Sequence, residues 1–143
     1  MRRDHFTVEV QPDPIDEGAP TIAIGYSGPS GALRERLTTA DGTLDADEVD
    51  VSFRRQPEEE DGVLSLSTRL TGEYILEAMA PAEAILELVS SAETDVDADG
   101  TYEVRLTDGD GKSLVYEKDT LLVYDHDGSL LRQQSLIPGG VEL

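Results

Sequence analysis

PAEAILELVSSAETDVDADG, residues 81–100, decides how the rest of the chain is read, because a helical pattern there runs directly into a string of alternating carboxylates. Ala82, Ile85, Leu86, Val89 and Ala92 recur at the i, i+3, i+4, i+7 spacing of one helix face, with Glu83, Glu87, Ser90, Ser91 and Glu93 opposite. The pattern predicts one main helix near residues 81–93. Pro81 suits the first helical position, where its missing N–H would be unpaired anyway, and Glu83 suits the positive end of the helix dipole.

Outward from this helix the period changes to two. Phe6, Val8 and Val10 alternate with polar residues, as do Ile22, Ile24 and Tyr26, and the prolines between them mark an irregular connection. Val49, Val51 and Phe53, the charged turn 57–62, then Leu64 and Leu66 read as an antiparallel hairpin, followed past Thr71-Gly72 by a strand from Glu73 to Met79. Beyond Gly100 come strands carrying Tyr102, Val104 and Leu106, then Leu114 and Tyr116, then Leu121 to Tyr124. Asp127-Gly128 signals a tight hairpin with Leu130 to Leu136 as its return strand. Ala32 to Leu37 fits either a short helix or a strand, and the i, i+4 pair Leu33 and Leu37 favours helix. The class is α+β: a single domain over residues 1–143, antiparallel and β-rich, with about eight or nine strands and the main helix packed on one sheet face.

The charge is the strongest compositional signal. Asp plus Glu number 31 against 11 Lys plus Arg, for a formal net charge of −20. Such a surplus works against compactness in dilute salt, but the screening length falls to about 3 Å at 1 M salt. The composition therefore points to a halophilic protein. High charge with few aromatics also occurs in disordered chains, yet an apolar fraction of 38% set out with clean periodicity argues for a packed core. The absence of cysteine excludes disulfides and thiolate chemistry. No apolar run is long enough for a membrane helix, and Arg2-Arg3 is followed by no apolar export segment, so a cytoplasmic protein without membrane partners is expected.

Asp95-Val96-Asp97-Ala98-Asp99-Gly100 matches the opening of a calcium loop, in which alternating carboxylates converge on a hard cation and glycine allows the sharp turn at position six. Position twelve, which should be a bidentate glutamate, is Leu106, and a strand follows where a helix should. Asp95, Asp97 and Asp99 are thus the candidate metal ligands, for Ca²⁺, against a salt-solvated turn in a chain with 16 aspartates. Together with Glu93 they lie just past the negative end of the helix dipole, where concentrated salt or a bound cation would relieve the repulsion.

Other motifs fall short. Gly111-Lys112-Ser113 ends like a phosphate-binding loop, but Leu106 stands where its first glycine belongs and a strand follows. Gly25-Tyr26-Ser27-Gly28-Pro29 lacks the second glycine of a nucleophile elbow, and neither His5 nor His126 is tied to a serine. Gln133-Gln134-Ser135-Leu136 begins like a sliding-clamp-binding box, with Gly139-Gly140 where its aromatic pair should stand. His126, between Asp125 and Asp127, is a conceivable metal or proton-relay position, but a turn histidine is more often simply solvated. Nucleic-acid binding is not expected without a basic stripe; Arg34, Arg36, Arg54, Arg55 and Arg69 would supply one only if folding gathered them on one face.

Met1-Arg2-Arg3-Asp4-His5-Phe6, Leu33-Arg34-Glu35-Arg36-Leu37, Leu122-Val123-Tyr124-Asp125 and the run from Leu130 to Pro138 together resemble a group of small acidic haloarchaeal proteins of unknown function. The resemblance spans nearly the whole chain and implies organism class and a soluble location, with no activity, cofactor or partner. The residues themselves favour a non-enzymatic binding or adaptor module for another protein, since no nucleophile–base pair, catalytic residue or cofactor fingerprint is present. The alternatives are a calcium-binding domain built on Asp95, Asp97 and Asp99, and an enzyme using carboxylate pairs hidden in an acidic sequence. Oligomeric state is left open.

Overall fold

The computed structural model describes residues 5–11, 20–29, 31–39, 42–56, 60–69, 71–94, 100–109, 111 and 113–137. In chain order the strands are β1 (Phe6–Gln11), β2 (Thr21–Tyr26), β3 (Thr38–Thr39), β4 (Gly42–Thr43), β5 (Val49–Arg54), β6 (Asp61–Thr68), β7 (Tyr74–Pro81), β8 (Tyr102–Thr107), β9 (Ser113–Lys118) and β10 (Leu122–Tyr124). The helices are α1 (Ala32–Arg36) and α2 (Ala82–Thr94). Two four-stranded sheets, ordered β1-β2-β8-β9 and β10-β5-β6-β7, are accompanied by a two-stranded ribbon, β3-β4. Pairing is mainly antiparallel, as the hairpin signals require, with one parallel pair in each sheet: β2 with β8 and β5 with β10. The β-rich α+β class with one main helix holds, and α1 forms where the Leu33–Leu37 spacing favoured it.

The period-two pattern determines which face of each sheet is buried. In the first sheet Val10, Ile22, Val104 and Tyr116 form one continuous row across the strands, and Val8, Ile24, Leu106 and Leu114 form the next. In the second, Val123, Phe53, Leu64 and Ala78 make a row, with Val51, Leu66 and Leu76 beside it. These faces meet in one hydrophobic cluster that includes Phe53, Leu64, Ile85 and Leu88, all fully buried. Each such side chain contributes about 1.5–3 kcal/mol of burial free energy.

Helix α2 touches β1 and β7, one strand from each sheet, so it seals the seam between them instead of covering one sheet. That corrects the expectation of a helix lying on a single sheet face, and it explains the composition of the buried helix face. Ala82, Ile85, Leu88, Val89 and Ala92 are buried, whereas Leu86 is only half-buried. Pro81 is the last residue of β7, paired with Asp61, and precedes the helix instead of opening it. It is tolerated there because β7 is an edge strand, and the following amide of Ala82 donates to the Glu60 carbonyl at 2.8 Å.

Two further departures lie in connections. Residues 130–136 do not form a continuous return strand. Isolated bridges link Tyr124 to Leu130 and Leu121 to Leu136, and a 3-10 turn over Arg132–Gln134 separates them. Ser135 substitutes for the missing ladder: its hydroxyl accepts from the Val123 amide at 2.8 Å and donates to the Leu131 carbonyl at 2.9 Å. The turn at Asp125–Ser129 is longer than the tight hairpin expected from Asp127-Gly128, because the Asp125 carboxylate accepts from both the Asp127 and Ser129 amides at 2.9 Å.

Candidate functional site

The face of the second sheet turned away from the core carries the site. Its rows are Leu122, Ser52, Ser65 and Glu77; Tyr124, Arg54, Val63 and Met79; and Asp50, Ser67 and Tyr74. A face turned from the core should be well exposed, yet Val63 and Ser65 are buried, at 3% and 7% exposure. They form the floor of a groove of about 590 Å³ whose walls include Arg54, Arg69, Tyr74 and Tyr124, with Lys118 and Thr120 at one end.

Electrostatics distinguish this groove from the rest of the molecule. Its described lining holds Arg54, Arg69 and Lys118 against Asp50 and Glu77, in a chain where acids outnumber bases 31 to 11. The three cations differ in commitment. Arg69 is paired with Asp50, its Nε and Nη2 both 2.9 Å from Oδ1. Both side chains are about half exposed, so the pair adds little stability and mainly orients the guanidinium. Lys118 is buried and donates to the carbonyls of Ala46 and Val49, each at 2.5 Å. Its ammonium loses protons below the ordinary lysine value, first because burial strips it of water and second because Arg69 is near. Arg54 has no hydrogen-bond or ion-pair partner among the described residues and projects into the groove from an exposed strand end.

Tyr74 reaches this face through a defect in pairing. Leu66 pairs with Leu76 but Ser67 pairs with Tyr74, so Ile75 is an extra residue in β7. Simple alternation from Leu76 would put Tyr74 in the core; the bulge buries Ile75 instead and turns Tyr74 outward, 59% exposed. The Tyr74 carbonyl is held at 3.1 Å by Arg36 Nη1 of α1. The ring forms a wall shared with a second groove of about 740 Å³, which Arg69 also lines. That second groove has the opposite balance, with Glu35, Asp47, Glu48 and Glu73 against Arg36 and Arg69.

The residues singled out by sequence are distributed as follows. Asp95, Asp97 and Asp99 lie outside the described residues; the flanking Gly100 has φ +75° and donates from its amide to the Ala92 carbonyl at 3.0 Å. Among the described residues the carboxylates of Asp45, Asp47 and Glu48 lie within 4.8 Å of one another and are exposed. Glu48 is engaged with its own turn, its Oε1 accepting from the Asp45 amide at 2.9 Å. His126 sits 3.5 Å from Asp127, both exposed. The Ser27 hydroxyl donates to the backbone carbonyl of His5, whose ring meets Tyr26 edge-on, so the two side chains do not form a nucleophile–base pair.

Ser113 begins strand β9, so no helix start follows Gly111. The stretch from Gln133 to Leu136 is built into the fold: Gln134 accepts from Arg55 Nη1 at 3.1 Å, and Ser135 and Leu136 are buried. The five arginines do not gather on one face. Arg54 and Arg69 share the first groove, Arg36 lies across Tyr74, Arg55 points to Gln134, and Arg34 lines a small hollow beside Tyr26.

Lys118 and Tyr74 were not legible as site residues. For Lys118 a signal existed: it shares strand parity with Leu114 and Tyr116 and so had to point inward. For Tyr74 none existed, since a bulge is a property of two strands. No helix among the described residues is long and apolar enough to cross a membrane. Neither a curated protein nor a solved structure matches the chain. The model of the family of unknown function DUF5793 matches residues 1–143 from end to end, and the chain belongs to that family.

Proposed function

We propose that this chain is a non-enzymatic binding module of a halophilic, cytoplasmic protein, and that it recognises an acidic protein surface through the groove on the outer face of the second sheet. The observation that carries this reading is the local reversal of charge, three bases against two acids among the described residues of one concavity, in a chain whose net charge is −20. Arg54, unpaired among the described residues, is the group free to meet a carboxylate from outside, and a guanidinium matches a carboxylate in planar, two-point geometry. The hydroxyls of Ser52, Ser65 and Ser67 supply further donors in the groove. Tyr74 offers a rigid aromatic anchor at the rim, the residue type that most often carries interface energy.

The test is affinity purification from source-cell lysate in molar KCl, comparing the wild-type chain with an Arg54→Glu, Tyr74→Ala variant. An acidic protein retained by the wild type and lost by the variant is expected. Recovery of the same proteins by both, or of none by the wild type, rules the reading out.

A further inference from the structure

The two grooves are neighbours, share Arg69 and Tyr74, and have opposite charge balance. That arrangement has a specific symmetry consequence. A half-turn about an axis that lies in the plane of the interface, passes close to Tyr74 and runs between the two grooves lays the basic groove of one copy over the acidic groove of another. The same operation also brings the reverse pair together. This is the requirement of an isologous interface, in which a patch is its own complement. The exposed Tyr74 ring then lies near the axis, against its symmetry mate.

From this we infer that the acidic surface received by the groove is that of a second copy of the same chain, and that the protein forms a two-fold symmetric dimer across Tyr74. The inference rests on the binding-module reading above and names its partner. In the dimer Arg54 of one protomer faces Glu35 and Glu73 of its partner, both exposed walls of the acidic groove. The bulge in β7 supplies the central contact, since without it Tyr74 would lie in the core. Two bodies of charge −20 repel each other over a long range, whereas the groove contacts act at short range. Association should therefore strengthen as KCl is raised, because salt removes the long-range term first.

Sedimentation velocity of the purified chain in 2 M and in about 0.3 M KCl reads this directly. A species of twice the chain mass is expected, more populated at the higher salt. Tyr74→Ala should weaken association at least tenfold. Arg54→Glu alone, and Glu35→Arg with Glu73→Arg alone, should each give monomers by placing like charges opposite. Mixing those two variants should restore a dimer, because both contacts then pair opposite charges again. Restoration on mixing also shows that each variant is folded. A wild type that stays monomeric at both salts overturns the dimer, as does a dimer that none of these changes weakens. If the wild type is monomeric but loses a captured acidic protein on Arg54→Glu, Tyr74→Ala substitution, the groove reading stands and only the second copy fails.

Discussion

Tyr102 and Lys118 lie opposite each other on β8 and β9, and both carry a polar end into the core. The Tyr102 hydroxyl donates to the Thr120 carbonyl at 2.7 Å, and no buried side-chain nitrogen or oxygen among the described residues lacks a partner. Burial pushes the Tyr102 phenol well above its ordinary value of 10.0, with Asp119 adding to the rise. Tyr116, whose hydroxyl donates to the Leu44 carbonyl, is raised by burial and then by Asp45 and Glu48. A phenol raised on folding gives stability that is complete below the unfolded value near 10 and is lost as pH climbs towards the folded value. Lys118 has the opposite sign: lowered on folding, it leaves the unfolded chain holding more protons below 10.5, so its contribution grows with pH there. Above the unfolded lysine value of 10.5 the contribution of the amine has levelled off, and the two phenols set the slope. Melting temperature should therefore fall above pH 10.5, and Tyr102→Phe should flatten that fall at the expense of about 1 kcal/mol for the lost hydrogen bond near neutral pH. An equally steep alkaline fall in Tyr102→Phe would show that this residue is not responsible.

At the scale of elements, the connections hold the less legible part of the fold. Helix α2 could be read in sequence because its apolar residues share one face, and Leu88, three residues after Ile85 and four before Ala92, belongs to that face and is fully buried, while Leu86 at its edge is only half-buried. The last segment gave an alternating pattern, yet it is bonded through Ser135 and a 3-10 turn instead of a ladder. Ser135→Ala would leave the buried Val123 amide without its acceptor, costing about 1–3 kcal/mol. Urea unfolding should register this as a lower midpoint at unchanged slope; a midpoint equal to that of the wild type would mean that water or another group serves the amide.

Over the whole molecule the decisive quantity is charge. A surplus of 20 negative charges is distributed around a core built from two apolar sheet faces, and the only relief in dilute solution would be expansion. Dialysis from 2 M to about 0.05 M KCl should reduce the ellipticity of the strands and lower the melting temperature, since the screening length then grows several-fold. A circular dichroism spectrum identical at both salts would remove the halophilic reading. The same charge explains why the groove stands out: a basic lining that would pass unnoticed in a neutral protein is a local inversion here.

The sequence by itself determined the eight strands of the two main sheets, the main helix and the charge, because each is written in the local order of apolar and polar residues, whereas it left Ala32–Leu37 open between helix and strand and did not show the short β3-β4 ribbon. Only the tertiary structure decided that β2 runs parallel beside β8 and β5 beside β10, that α2 seals a seam, and that Tyr74 faces out. Those are relations between segments distant in the chain, and no local pattern encodes them. The residues that line the groove come from β5, β6, β7 and β10 of the second sheet, the end of β9 in the first, and connections such as those holding Arg69 and Thr120, so their shared chemistry exists only once the two sheets have packed together. The aspartates after α2 stood out in sequence because they are adjacent there; Arg54, Arg69 and Lys118 did not, because folding alone makes them neighbours.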